Sequence, residues 1–162
     1  MQKVFTPIQI GSAVMKNRIV FPSMCTFFCE EDGTIGECMT EYVRERVRGG
    51  VGMMIIPGTP HGKPGPGRPA FSDDCYIEGW RKLAGMAHGY GAKLFCQLHP
   101  ASFQEGRGKK TESPSDFSVE TIHELVESYA RCAGRCKRAG LDGGGVHGAH
   151  AHEGAEVMAR MY

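Results

Sequence analysis

The sequence predicts an α/β fold built from about four strand–helix units around a parallel sheet. Two observations carry that prediction. Short apolar runs alternate four times with longer segments of helical periodicity, the order that parallel strands with crossover helices produce. The clearest of these runs, Val51 to Ile56, is apolar throughout, as a strand buried on both faces requires.

The first run is Arg18 to Pro22. A helix is expected near Met39 to Arg48, where Met39, Tyr42, Val43 and Val47 share one face and Gly49-Gly50 supplies the stop. Val51 to Ile56 is the second strand, and a Pro/Gly-rich loop follows from Pro57 to Pro69. Ser72, Asp73 or Asp74 can cap the next helix, whose buried stripe reads Ile77, Trp80, Ala84, Ala87 and Gly91. Lys93 to Leu98 is the third strand. The stretch from His99 to Phe117 exceeds an ordinary connector and reads as a functional loop, within which the charge-rich Glu105 to Glu112 reads as solvated. Ser118 opens a further helix, with Ile122, Leu125, Val126, Tyr129, Ala133 and Cys136 at helical spacing up to Gly140. Asp142 to His147 is the fourth strand and the least secure, because three successive glycines weaken it. Glu153 to Tyr162 could begin another helix.

A chain of 162 residues fits one domain core, so residues 1–162 read as a single unit. Nineteen Lys and Arg against 18 Asp and Glu leave no basic field for a nucleic-acid backbone or an anionic membrane. No run is long enough to cross a bilayer and the N-terminus has no signal-peptide pattern, so a cytoplasmic location is expected. Seven cysteines are scattered without a C-x-x-C pair, which disfavours a disulfide scaffold and a cysteine-ligated metal or iron–sulfur cluster in this segment.

Polar residues gather after the strands. Ser23, Met24, Cys25 and Thr26 follow the first, Gly58 and Thr59 the second, Gln97 and His99 close the third, and His147, His150 and His152 follow the fourth. Taken singly, each has an ordinary explanation: Met24 and Cys25 as core packing, Ser23 and Thr26 as turn hydroxyls, Gly58 and Thr59 as loop residues, Gln97 as a satisfied polar group. The histidines with Glu153 admit a rival reading as ligands of Zn²⁺ or another divalent ion.

In order along the chain stand Phe5-Thr6-Pro7-Ile8, Lys16-Asn17-Arg18-Ile19-Val20, Pro22-Ser23-Met24-Cys25-Thr26, Arg48-Gly49-Gly50-Val51-Gly52, Gly58-Thr59, Ser72-Asp73, Gly79-Trp80-Arg81-Lys82-Leu83, Gly91-Ala92-Lys93, Gln97-Leu98, and Ala139-Gly140-Leu141-Asp142-Gly143 with His147-Gly148-Ala149-His150. This ordered set resembles the old yellow enzyme family of NADH:flavin oxidoreductases, with the 2,4-dienoyl-CoA reductase and bile-acid-inducible reductase branch as the nearest flavour. The resemblance implies the first half of a TIM (β/α)₈ barrel, a fold of ~250 residues, with an extension before the first strand. It further implies FMN as cofactor, NADH or NADPH as reductant, and a small-molecule alkene conjugated to a carbonyl as the acceptor.

The resemblance also implies roles. Ser23, Met24, Cys25 and Thr26 would line the flavin, Gly58 would let the ring approach, and Gln97 would bond its pyrimidine portion. His147 and His150 match the pair that polarises the substrate carbonyl. His152 stands where the family often has a proton-donating Tyr, and Gly145 where relatives carry Glu. His99 is given no role. Three functions follow: an ene-reductase or its flavin-facing half, completed by a second copy or by a separate C-terminal half; a non-catalytic remnant or interaction module; and a metal-binding barrel fragment using His147, His150 and His152.

Overall fold

A computed structural model describes residues 2–62, 64–99 and 118–148. The expected loop after His99, the histidines at 150 and 152, and the expected helix from Glu153 lie outside the described residues. The described chain runs through strands β1 (Ile8–Ile10), β2 (Ala13–Met15) and β3 (Val20–Phe21), helix α1 (Glu37–Arg48), β4 (Met53–Gly58), α2 (Ile77–Gly89), β5 (Lys93–Leu98), α3 (Val119–Arg138) and β6 (Gly143–Val146). β3, β4, β5 and β6 form one parallel sheet in that order. β1 and β2 make a separate antiparallel hairpin, turned at Gly11 with φ of 57°.

The helices form where periodicity predicts, because their apolar stripes meet one face of the sheet. Met39, Val43 and Val47 of α1, Trp80, Ala84 and Ala87 of α2, and Cys132 and Cys136 of α3 are buried with Met54, Ile56, Leu94, Cys96 and Leu98 of the strands. Trp80 anchors this layer. Its ring stacks on Phe71 at 4.6 Å between centroids, and its indole N–H donates to the Ala70 carbonyl at 2.8 Å, which satisfies the one polar group such a ring buries. Asp73 accepts from the Cys75 N–H and caps a short 3-10 turn leading into α2. The Ser118 hydroxyl accepts from the Thr121 N–H and caps α3. The C-terminal turn of α3 is tied to the start of α2 by Arg135 and Arg138, which both hold Asp74. Those guanidiniums, Arg138 first, lower the Asp74 carboxyl to about 2.

The opposite face of the sheet is the inner one. Met53 is buried there with Ala13 and Met15 of the hairpin, and Ile8, Ile55 and Phe95 pack against them. The hairpin therefore closes the N-terminal end of the inner face. Its strands are three residues each, too short to show a period in the sequence.

Four expectations need correction. The first strand contracts to Val20–Phe21. The second lies two residues further on than expected, because Gly50, at φ of 102°, and Val51 complete the turn after α1, while Pro57 stays within the strand. In a parallel ladder alternate residues bond opposite neighbours. Gly52 and Gly58 accept from β5 and its continuation, whereas the Met53 N–H reaches Ile19 on the β3 side. The missing N–H of Pro57 thus falls on the β3 side, beyond the end of that short strand. Gly91 is not part of the α2 stripe: it is exposed, with φ of 70°, in the turn after the helix. On α3, Val126 is 60% exposed and Ala133 is exposed as well, since no described element covers that side of the helix.

The glycine-rich fourth strand forms after all, in parallel register with β5 from Phe95↔Gly143 to Leu98↔Val146. A Cβ on Gly143 would stand 2.3 Å from the Phe95 ring, so the residue that weakens the strand intrinsically is what lets it dock.

Candidate functional site

Side chains at i and i+2 of a strand share a face, so register decides what the inner face presents at the C-terminal end of the sheet. Pro57, Gln97 and Gly145 lie in one row. One step further the chain continues into Thr59, His99 and His147. The His99 N–H donates to the Gly58 carbonyl at 3.0 Å, and the His147 N–H to the Leu98 carbonyl at 3.0 Å. Ladder bonds therefore extend past the formal strand ends and hold both histidines at the rim. Their rings stack, with centroids 4.8 Å apart and planes 18° from parallel. His147 is 9% exposed.

The loop after β3 reaches the same rim because it is stitched to the loop after β4. The Cys29 N–H donates to the Gly67 carbonyl and the Ala70 N–H to the Gly33 carbonyl. Gly67, at φ of 74°, lets the Phe27 carbonyl approach where a Cβ would stand 2.6 Å from it. Phe27 itself takes φ of 58°, unusual for a residue with a side chain. Beyond it, Thr59 bridges to Ala70, donating its N–H to Pro69 and accepting from Phe71.

These contacts converge on a recess of about 20 Å³ lined by Cys25, Pro57, Thr59, Arg68, Pro69 and His99. Arg68 is only 7% exposed, with its guanidinium 5.3 Å from the centre of the Phe27 ring. Sequence reasoning missed Arg68, whose only signal was a lone charge between Gly67 and Pro69 in a Pro/Gly-rich loop.

Of the residues expected at the site, Cys25 and His147 come together around this rim, and Gln97 lies one row below. Ser23 is half-buried and Met24 is 52% exposed. Two of the expected residues turn toward the helix layer. The Thr26 hydroxyl turns outward toward the Met39 sulfur, 3.8 Å away. Gly58 faces the helix layer: a Cβ there would stand 2.6 Å from the Cys96 sulfur and 3.3 Å from Trp80. Its lack of a side chain serves packing against that layer. His99, given no role from the sequence, is part of the rim. Among the described residues no group of three or more His, Cys, Asp or Glu is placed to hold a metal ion, and none of their helices is long and apolar enough to cross a membrane.

Parallel strands that deliver polar side chains to one rim are a feature of many barrels, and comparison with known proteins decides among them. The profile of the NADH:flavin oxidoreductase / NADH oxidase family matches residues 3–153. The chain belongs to that family. Among curated relatives it is 34% identical to the NADH oxidase of Thermoanaerobacter brockii, over 92% of this chain and 26% of that protein. It is 30% identical to the NADPH dehydrogenase of Geobacillus sp. strain WCH70, over 92% of this chain and 48% of the relative. Its fold matches the crystal structure of old yellow enzyme from Pichia sp. AKU4542 with a TM-score of 0.78 at 22% identity, covering 93% of this chain and 47% of that one. The chain thus spans between a quarter and a half of the length of these relatives. Its four parallel strands with their helices are half of the oxidoreductase TIM barrel.

Proposed function

We propose that residues 1–162 form the flavin-facing half of an FMN-dependent, NAD(P)H-linked ene-reductase acting on a small alkene conjugated to a carbonyl, in the cytoplasm. The observation that carries this reading is the convergence of Cys25, Thr59, Arg68, His99 and His147 on one rim above Gln97. Family membership supports it, and the ordered blocks resemble the 2,4-dienoyl-CoA reductase branch.

The donor set suits FMN. Gln97 offers an amide that both donates and accepts, as a pyrimidine edge requires, and Arg68 and Thr59 add a cation and a hydroxyl. The recess itself has room for one small group, so a tricyclic ring would lie across the rim, with Ser23, Met24, Cys25 and Gln97 beside it. Bound FMN would relay hydride between the nicotinamide and the alkene.

The chain's own residues would set the electrostatics. His147, held by its backbone bond and by the stacked His99, would donate to the substrate carbonyl oxygen together with His150, drawing density off the alkene and stabilising enolate charge. His152 would return the proton to the α-carbon, which an imidazole can do near neutral pH. A second copy of the chain, or a separate C-terminal half, would supply the remaining strands.

The test is FMN binding by the purified chain, followed by quenching of flavin fluorescence, with and without a separately expressed C-terminal half of a related barrel. NAD(P)H-driven reduction of 2-cyclohexen-1-one is then assayed. Saturable binding, weakened in Gln97→Ala, is expected. Affinity no better than that of an unrelated protein in both arms would leave the non-catalytic reading standing.

A further inference from the structure

The recess at the rim is lined by two polar side chains that the fold buries without bonding. Arg68 is 7% exposed and Thr59 is 5% exposed. The Thr59 backbone is fully used, since its N–H donates to the Pro69 carbonyl and its carbonyl accepts from Phe71. Its hydroxyl is bonded by no described residue. The Arg68 guanidinium likewise has no hydrogen bond or ion pair among the described residues; what it meets is the Phe27 ring, 5.3 Å from its central carbon to the ring centre. A ring face attracts the charge but supplies no acceptors for five N–H donors. Buried polar groups are as a rule paired, so two such side chains on one recess point to a ligand.

We propose that this recess is a carboxylate-binding subsite: Arg68 and the Thr59 hydroxyl donate to one carboxylate, which enters from the rim. The remaining walls are Cys25, Pro57, Pro69 and His99, with no acid among them. Acidic residues of the adjoining loops are engaged elsewhere. Glu30 lies over Gly36, Asp32 accepts from the Thr34 N–H, Asp73 accepts from the Cys75 N–H, and Asp74 is held by Arg135 and Arg138. A guanidinium taken out of water without a counter-charge is costly, and an anion offsets that cost. One fixed cation balances one negative charge, and a planar carboxylate matches the guanidinium fork, which favours it over a phosphate dianion.

The subsite is preformed. Arg68 sits in a turn closed by its own N–H, which donates to the Gly65 carbonyl at 3.1 Å, between Gly67, at φ of 74°, and Pro69, whose ring fixes φ. Phe27, at φ of 58°, holds a conformation that persists only where surrounding contacts enforce it, and here its backbone is packed against Gly67. A volume of about 20 Å³ admits one oxygen-sized group, so one carboxylate oxygen enters and the rest of the ligand lies outside, toward the Phe27 ring, which is 58% exposed. The same group is presented by a free small acid or by the carboxylate end of a larger molecule. Neither source depends on the flavin reading, because this chain alone forms the recess.

The experiment is a nuclear magnetic resonance titration of the ¹⁵N-labelled full chain, without cofactor. Sodium formate and, separately, sodium benzoate are added at constant ionic strength and about pH 6, where both acids are ionised. The readout is the Arg68 Nε–H resonance, and that of Arg48, whose side chain is 68% exposed, is the comparator. A saturable one-to-one shift at Arg68, with only a linear drift at Arg48, is expected. Benzoate binding tighter than formate by about threefold or more assigns the carboxylate to a larger ligand, and benzoate no tighter assigns it to a free small acid. Thr59→Val, which keeps the shape, should weaken binding by about threefold to tenfold, and Arg68→Lys, which keeps the charge but not the fork, by about tenfold or more. A drift at Arg68 that is linear and no larger than at Arg48 with both acids overturns the proposal in the unmodified chain, whether or not the variants fold.

Discussion

The two flanks of the sheet are unequal. On the side of α1 and α2, Met39, Val43, Met54, Ile56, Trp80 and Leu94 are all but sealed from solvent. On the side of β6, Val146 is 55% exposed, Gly144 is open, and a groove runs along α3. The rim draws on both. Cys25, Thr59 and Arg68 come from the sealed flank and are cross-braced by loop hydrogen bonds, whereas His147 is carried by a strand of three glycines and a valine. The difference teaches that the rim residues from the loops after β3 and β4 rest on a self-sufficient core, while His147 depends on a few specific contacts that bring β6 to β5.

The comparison breaks most easily at the sealed flank. Trp80→Ala removes the stacking partner of Phe71 and the donor to Ala70, and should cost about 3–5 kcal/mol, read as a large drop in the urea midpoint. If the loss is under about 1 kcal/mol, the core does not rest on this residue. On the other flank, Gly143→Ala should cost about 1–3 kcal/mol by forcing a methyl into the Phe95 ring. Phe95→Leu should recover part of that loss in a double-mutant cycle, whereas additive losses would mean that β6 docks in some other way.

Asp142 joins the flanks at the N-terminal end of β6. It accepts from Lys93 at 2.8 Å and from the Leu94 N–H at 2.9 Å, and lies 2.6 Å from the His88 ring. Burial raises its pKa, but Lys93, His88 and the Leu94 N–H together outweigh burial and leave it lowered. A carboxyl lowered on folding stabilises the fold fully above its unfolded value, and that contribution is lost as pH falls through the folded one. Asp142→Ala should therefore cost about 1–3 kcal/mol near neutral pH, and the gap between variant and parent should narrow only in acid, below the ordinary carboxylate range. A gap independent of pH down to full acid unfolding would remove the charge from the explanation.

Ser118→Ala should cost about 1 kcal/mol through loss of the α3 cap, seen as faster amide exchange at Thr121. The smallest effect is expected at the uncovered face of α3, where Val126→Gln should change stability by no more than about 0.5 kcal/mol. A marked change there would show that the face is covered in solution.

Much of this was legible in the sequence. Met39, Val43 and Val47, and Ile77, Trp80, Ala84 and Ala87, recur at helical spacing and are buried as expected, because a helix that lies on a sheet must bury one stripe. The alternation of runs gave the parallel order, and the blocks from Phe5 to His150 gave the family. The hairpin of Ile8 to Met15 stayed hidden because three-residue strands carry no readable period. Val126 and Ala133 were misread because periodicity marks which residues share a face, not whether anything covers it.

By itself the amino-acid order determined which elements form and which strand ends carry polar groups, since propensity, capping and period are local properties written within a dozen residues. Only the tertiary structure decided where those groups point: Gly58 into the helix layer, Thr26 toward Met39, Arg68 and His99 onto the rim, and three cysteines into one cluster. A side chain's direction at a strand end depends on register against a neighbour some 40 residues away, and no local pattern encodes that contact.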